Sequence, residues 1–413
     1  MKIFAESARS FISSSPTARD RERAWESFQE IGLPTTADEV WRYAPLSEFV
    51  IDHFDVANEP RVRDVSAFGE QLCAAGGLVV RVVDGFLSSV SATLDGVSVT
   101  SIESATTLRG EDPIERYESD AFALLSVALA PATTILEIAE RVNIDQPIII
   151  LYDATGSASF SQTQIKVGDA SSVTVVEYFE GGSEALVVPL SEYEVGVNAS
   201  LQLITYQRLD DSAWHVARTT GLIRKDARLR QAVIGMGAHY NRSRNDAELL
   251  GTGAENELRT TFLGAGRQVH DFRTHQFHKA QRSRSTLLSK GAVADESRSV
   301  YTGLIEIEKG AKRTDARQTN HNLLLSPHAH ADSVPNLDIR ENDVMCAHAS
   351  SVGPLDELQR WYLESRGVTR SDAERLIIQG FFYEMLTTLP EELAALVEDD
   401  VTAALSSLQM VAP

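Results

Sequence analysis

Cysteine is almost missing: Cys73 and Cys346 are the only two in 413 residues, too few for a disulfide framework. A reducing, cytoplasmic compartment is the expectation. Long apolar runs are missing as well. Ile148-Ile149-Ile150-Leu151 falls far short of the roughly 18–20 residues that a membrane helix needs, and Glu6 and Arg9 interrupt the start of the chain before an apolar stretch of signal-peptide length forms. Neither a membrane span nor a secretory signal is expected. Positive charge is scarce, with 38 Lys and Arg against 59 Asp and Glu and a formal net charge of −21. That balance argues against generic binding to nucleic acid or anionic lipid. No G-x-x-x-x-G-K-[ST] loop exists to cradle a triphosphate, so no nucleotide is expected to bind to this chain itself. The pairs Gly235/Gly237, Gly251/Gly253 and Gly264/Gly266 lack the third glycine of a dinucleotide fingerprint and read as turns. G-x-S-x-G and H-E-x-x-H are absent too, which removes the usual anchors of hydrolases and zincins.

What is present is an ordinary globular composition, 43% hydrophobic and 23% charged, in a chain too long for one compact core unless an elongated repeat fold carries the length. The start reads as helical: Ser15-Pro16 offers an N-cap and an N1 proline, Trp25, Phe28 and Ile31 share a face, and Gly32 stops it. Thr36-Ala-Asp-Glu39 has the spacing of a capping box. Asp84-Gly85 and Asp95-Gly96 then mark turns between the apolar runs 78–83, 86–94 and 97–102. Residues 121–130 form a Leu- and Ala-rich helix closed by Pro131.

From Thr134 to Gly353 short apolar or alternating runs follow one another, punctuated by Gly, Asn and Asp. More than two hundred residues of closely spaced strands fit a β-solenoid, with a sandwich or a pair of barrels as the competing architecture. No hexapeptide or nonapeptide repeat is visible, so the coil must be irregular. The end turns helical: a run from Leu355 to a stop at Gly367, a capping box at Ser371-Asp-Ala-Glu374, and a third helix after Pro390 with Leu393, Val397, Val401, Leu405 and Leu408 on one stripe. The chain divides accordingly into residues 1–130, helical with a small β-hairpin segment, a β core over 131–353, and a helical domain over 354–413.

Charge is uneven. Residues 218–290 hold 14 basic against 6 acidic residues, while 354–413 hold 4 against 11. Arg228 with Arg230, and Arg282 with Arg284, alternate as on a strand and form a solvated face or an anion-binding one. Aromatics are not interleaved with them, which disfavours a stacking platform for single-stranded nucleic acid. Histidines gather in two groups, His270/His275/His278 and His321/His328/His330, while His348 follows Cys346 by two residues. On a strand that spacing puts a soft thiolate and an imidazole on one side, within reach of one metal ion or cluster. Without a C-x-x-C unit the four ligands of a closed structural site are lacking. Packed or surface histidines and a buried small cysteine remain open readings beside a transient site completed by another chain.

Several segments carry a resemblance: Gly32-Leu-Pro-Thr35, Glu39-Val-Trp-Arg-Tyr-Ala-Pro-Leu46, Thr314-Asp-Ala-Arg-Gln318, Pro335-Asn-Leu-Asp-Ile339, Asp343-Val344, Cys346-Ala-His348, Val352-Gly353, Leu355-Asp356 and Trp361-Tyr-Leu-Glu-Ser-Arg-Gly367. In this order they resemble the SufB/SufD family of iron-sulfur cluster assembly scaffold proteins, on its SufD branch. The resemblance implies a mainly β protein, a right-handed parallel β-helix flanked by helical N- and C-terminal regions. It also implies a non-enzymatic scaffold that pairs with a SufB-like paralogue and carries a SufC-like ATPase on its C-terminal helices, from Leu355 to Leu408. A transient iron-sulfur cluster would form at the subunit interface, with His348 at the position of the metal-ligating histidine and Cys346 as a second cluster-binding candidate. Ala349-Ser350-Ser351 departs from the family's usual Gly-Ala-Thr, and no cysteine stands near Asn320, where the SufB branch has its scaffold cysteine. Two other functions stay in view, a β-helix enzyme acting on acidic polysaccharide and a self-associating structural solenoid that forms a homodimer in isolation.

Overall fold

The computed structural model describes residues 2–61 and 63–407. The chain opens with α1 (Lys2–Ser14), α2 (Ala18–Ile31) and α3 (Ala67–Ala74). α2 begins at Ala18 rather than at Pro16, and the expected helix at Thr36 is only a 3-10 turn, Glu39–Trp41. There Asp38 turns back to accept from the backbone N–H of Thr35 at 2.7 Å. α3 is capped by Ser66, whose hydroxyl accepts from the Gly69 N–H. The hairpin of β1 (Leu78–Val83) and β2 (Phe86–Val90) turns through Asp84 and Gly85, both at positive φ (48° and 89°), as a two-residue loop requires. β3 (Val97–Ile102), the short α4 (Pro113–Arg116) and the fully buried α5 (Ala121–Leu129) complete this region.

Sixteen strands then wind as a two-sheet solenoid, in which each strand from β6 to β17 pairs in parallel with those two before and two after it. One sheet holds β4 (Thr133–Ile138), β6 (Ala158–Val167), β8 (Leu186–Val195), β10 (Trp214–Ile223), β12 (Tyr240–Leu249), β14 (Val269–His278), β16 (Arg298–Ile307) and β18 (His330–Ile339), with β3 on its first edge. The other holds β5 (Ile148–Ala154), β7 (Ser172–Gly181), β9 (Ser200–Leu209), β11 (Arg228–Gly235), β13 (Glu255–Gly264), β15 (Arg284–Val293), β17 (Thr314–Leu324) and β19 (Val344–Pro354), with β1 and β2 beside β5. The chain closes with α6 (Glu357–Ser365), α7 (Arg370–Leu386) and α8 (Glu391–Ser407).

One coil takes 26 to 32 residues; Ala158, Leu186, Trp214, Tyr240, Val269, Arg298 and His330 are successive register partners. From β6 to β17, the link from each even strand to the odd strand after it repeats one device. Ala170, Asn198, Asp226, Gly253, Arg282 and Arg313 all adopt positive φ, and each is followed by a small buried residue, from Ser171 through Ala199, Ala227, Ala254 and Ser283 to Thr314. A left-handed residue reverses the chain, and only a small side chain fits the corner.

Both outer faces are covered. α1, α2 and α5 lie on the even-strand sheet, where Phe4, Trp25, Phe28 and the apolar side chains of α5 pack with Phe160, Val188, Trp214 and Tyr240, whereas Phe68 and Leu72 of α3 pack on the odd-strand sheet with Tyr178 and Tyr206. The C-terminal helices lie on the odd-strand sheet. There Ile378, Phe382 and Leu386 of α7, and Leu393, Val397, Val401 and Leu405 of α8, pack with Ile149, Tyr178, Ile204, Tyr206, Ile234 and Ala292. Tyr206 donates to Asp400 of α8, which also pairs with Arg208. Four residues of the predicted apolar stripe thus face the chain's own sheet, and Leu408 lies outside the described residues.

Candidate functional site

Among the described residues β19 pairs with β17 on one side and has no strand on the other; β18 ends its sheet in the same way. Side chains alternate across a strand, and parallel register stacks them in columns. Ala316, Gln318 and Asn320 of β17 are at most 1% exposed and line the inside of the coil. Their partners on β19 are Cys346, His348 and Ser350, which continue that column. Ser350 meets Ser333 of β18 across the lumen, hydroxyl to hydroxyl at 2.7 Å. No coil follows to close the space, so His348 is exposed and Cys346 only half-buried. Leu337, Ile339 and Val352 continue lumen columns, yet are exposed for the same reason.

The two sequence-predicted donors therefore share one face, with Cα atoms about 7 Å apart for alternate residues of a strand. Cys346 packs beside Ile305, Ile307, Ala311 and Ala316. Burial, reinforced by the Asp315 carboxylate, pushes its thiol above the usual range, so it is a thiol at neutral pH and gives up its proton on binding a soft metal. Among the described residues no three His, Cys, Asp or Glu side chains gather closely enough to hold a metal ion. One thiol and one imidazole suit iron-sulfur species chemically, but make half of a four-ligand set.

The histidine groups do not form. His270 and His278 point into the lumen, while His275 faces outward and meets Glu306 at 3.2 Å. His321 lies beside Lys290 and Glu384 under α7, with its Nδ1 2.5 Å from the Ser351 hydroxyl, and His330 pairs with Asp332. The basic middle is balanced locally. Arg228 meets Glu255 at 2.8 Å and Arg230 meets Glu257 at 3.9 Å, each from the neighbouring strand, and Arg282 occupies a turn. Sequence reasoning missed the polar floor under His348. Gln318 and Asn320 are buried, and neither amide atom of Gln318 nor the Asn320 Nδ2 has a hydrogen-bond partner among the described residues. Their spacing of two was the available signal.

Residues 150–381 match the family model described as "SUF system FeS cluster assembly, SufBD core domain". The chain belongs to the SufB/SufD family. The iron-sulfur cluster assembly protein SufD of Bacillus subtilis is 31% identical over 274 residues, 65% of this chain and 63% of that protein. SufD of Escherichia coli is 27% identical over 372 residues, 87% of this chain and 86% of its own length. A SufBD family protein of Mycobacterium leprae is 28% identical over 94% of this chain and 96% of its own. The SufB/SufD core match begins inside β5 and runs through the open coil into α7, so it includes both Cys346 and His348. This is thus a protein of the SUF iron-sulfur cluster assembly system. None of its described helices is long and apolar enough to cross a membrane.

Proposed function

We propose that this chain is a non-enzymatic, cytoplasmic scaffold subunit whose open last coil docks against a SufB-like paralogue and lends His348, with Cys346 beside it, to a cluster assembled between the two. The observation that carries this reading is the unfinished end of the solenoid. Two strands there keep unpaired backbone edges, apolar lumen residues stand exposed, and the half set of soft donors sits among them. An edge of this kind calls for another strand. A cluster held there belongs to neither chain alone and is substrate rather than resident cofactor, ready for transfer.

His348→Ala in the assembled complex is expected to reduce cluster formation on a target apoprotein at least about tenfold; unchanged transfer would remove His348 from the site. In isolation the same edge favours a second copy of this chain, so a homodimer that dissociates when the paralogue is added is consistent with the reading.

The SufC-like ATPase is assigned to α6. α7 and α8 spend their apolar stripes on the chain's own sheet, whereas Leu358, Trp361 and Tyr362 of α6 stand exposed, Leu358 at 76% and Trp361 at 66%. Asp356 caps α6 two residues after β19 ends, so movement of a bound ATPase reaches the open coil through a very short link. Trp361→Asp is expected to weaken ATPase binding by about 2 kcal/mol or more, roughly 30-fold in Kd, measured by calorimetry. Retention of full affinity would move the docking site off α6.

A further inference from the structure

We infer that Ser351 and His321 are positioning residues for His348: their hydrogen bond, with that of Ser350 to Ser333, clamps the edge strand β19 from both faces and ties it to α7. The inference rests on the proposed role of His348 and deepens it. A metal donor has to stand within about 0.5 Å of its working place, and a strand with a neighbour on one side alone is the least constrained element to carry it. β19 is such a strand among the described residues. Side chains alternate along it, so Ser350 points into the lumen and Ser351 to the outer face, two and three residues beyond His348. The Ser350 hydroxyl bonds that of Ser333 on β18 at 2.7 Å, and the Ser351 hydroxyl lies 2.5 Å from the His321 Nδ1 on β17. The strand is thus pinned to both sheets. Among the described residues no other side-chain hydrogen bond joins β17 to β19.

His321 is itself part of a row. Thr261, Lys290, His321 and Ser351 stand side by side across the outer face, each in register with the next. Lys290 donates to the Glu384 carboxylate of α7 at 2.6 Å and to the Phe381 carbonyl at 3.1 Å, and the charges of Lys290 and Glu384 both act on the His321 ring. α6, the proposed ATPase dock, meets α7 in turn through Arg360 and Glu374, 3.5 Å apart. A shift of α7 therefore bears on Lys290 and His321, and Ser351 carries it to the strand that holds His348. The row gives the site a second connection to the C-terminal helices, besides the short link from β19 to α6.

The test uses the full chain, alone and in the complex with its paralogue and ATPase. Hydrogen exchange of β19, read by mass spectrometry, measures how firmly the strand is held, and iron(II) affinity of the complex measures how well His348 is placed. Ser351→Ala is expected to speed exchange across residues 344–354 about threefold and to weaken iron(II) binding by a similar factor, matching the net contribution of one hydrogen bond at a surface. Ser351 is exposed, so the alanine variant leaves no buried gap. Exchange in the strands before β15, the unfolding temperature and ATPase binding should not change. Ser351→Thr keeps the hydroxyl and is expected to restore both values. His321→Ala should reproduce the loss, and the double variant should be no worse than either alone, as a single shared bond requires. Unchanged exchange in Ser351→Ala, failure of threonine to restore it, or losses that add in the double variant overturn the inference. If one of these occurs while His348→Ala still abolishes cluster formation, the positioning role fails and the proposed function stands; if Ser351→Ala loosens β19 but His348→Ala leaves assembly intact, the strand is clamped without carrying a ligand, and the site and the positioning role fall together.

Discussion

Acidification from pH 6.5 to 4 is expected to unfold this protein steeply, with a slope set by histidines sealed inside the solenoid. Burial pushes His215 and His278 down to about 4 and His270 down to about 3. His215 sits with its Nδ1 2.8 Å from the Asn241 Oδ1, and His278 is held by the hydroxyls of Ser283 and Ser285, both at 2.8 Å. The unfolded chain protonates these rings near 6.5, whereas the folded one does not until far lower. Their folded pKa values are depressed, so stability is complete above 6.5 and falls as pH drops toward 4. Each ring contributes about 1.4 kcal/mol per pH unit in that window, and three together about 4 kcal/mol per unit at the steepest.

Glu177 opposes them. It is fully buried with its carboxyl ringed by Tyr152, Tyr193, Thr205 and Ser191, and desolvation raises it, so it takes up a proton more readily folded than unfolded. Burial also raises Asp153, and two groups of that sign offset only part of the slope. Denaturant titrations across the window measure it directly, and His278→Asn should lower the slope by close to one proton. A stability independent of pH between 6.5 and 4.5 would show that the lumen admits protons freely.

Deleting residues 355–413 is expected to leave an insoluble or aggregated chain. As a separate helical domain over 354–413, the C-terminal helices would be removable. The packing says otherwise. Ile204, Tyr206 and Ile234 of the odd-strand sheet pack with α7 and α8, and each apolar side chain of that size is worth about 1.5–3 kcal/mol when covered. Removing the helices strips a contiguous apolar face far larger than soluble monomers expose. Size-exclusion chromatography and dye binding decide the matter, and a soluble truncated monomer with a sharp unfolding transition would refute it. A gentler change, Trp361→Asp on α6, tests partner docking without uncovering the sheet.

Much of the fold was legible, and the reasons for the gaps are specific. The run of closely spaced strands pointed to the β solenoid, and Asp84-Gly85 marked the hairpin that precedes it. The repeat was also in the sequence but at an unexpected length. The left-handed residue followed by a small one recurs from Ala170 to Arg313 every 27 to 31 residues, too irregular for a search set to six or nine. The parity of β17 was illegible for a different reason. Asp315, Arg317, Thr319 and His321 alternate with Ala316, Gln318, Asn320 and Asn322, so both faces are polar and neither announces the core. That is why Gln318 passed as a family marker. Cys346 and His348 were placed on one face because spacing of two survives any choice of parity.

The placement of α7 and α8 also bears on how the chain is made. Beyond the part that α3 covers, the sheet face extends from Ile204 to Ala292, whereas the side chains that cover it run from Ile378 to Leu405. Translation proceeds at about 5–20 residues per second, so the oldest part of that face waits tens of seconds for its cover. Throughout that interval the nascent solenoid presents an oily wall to solvent. The ribosome-bound chain is therefore a natural client for a chaperone that shields apolar surface until the last helices emerge.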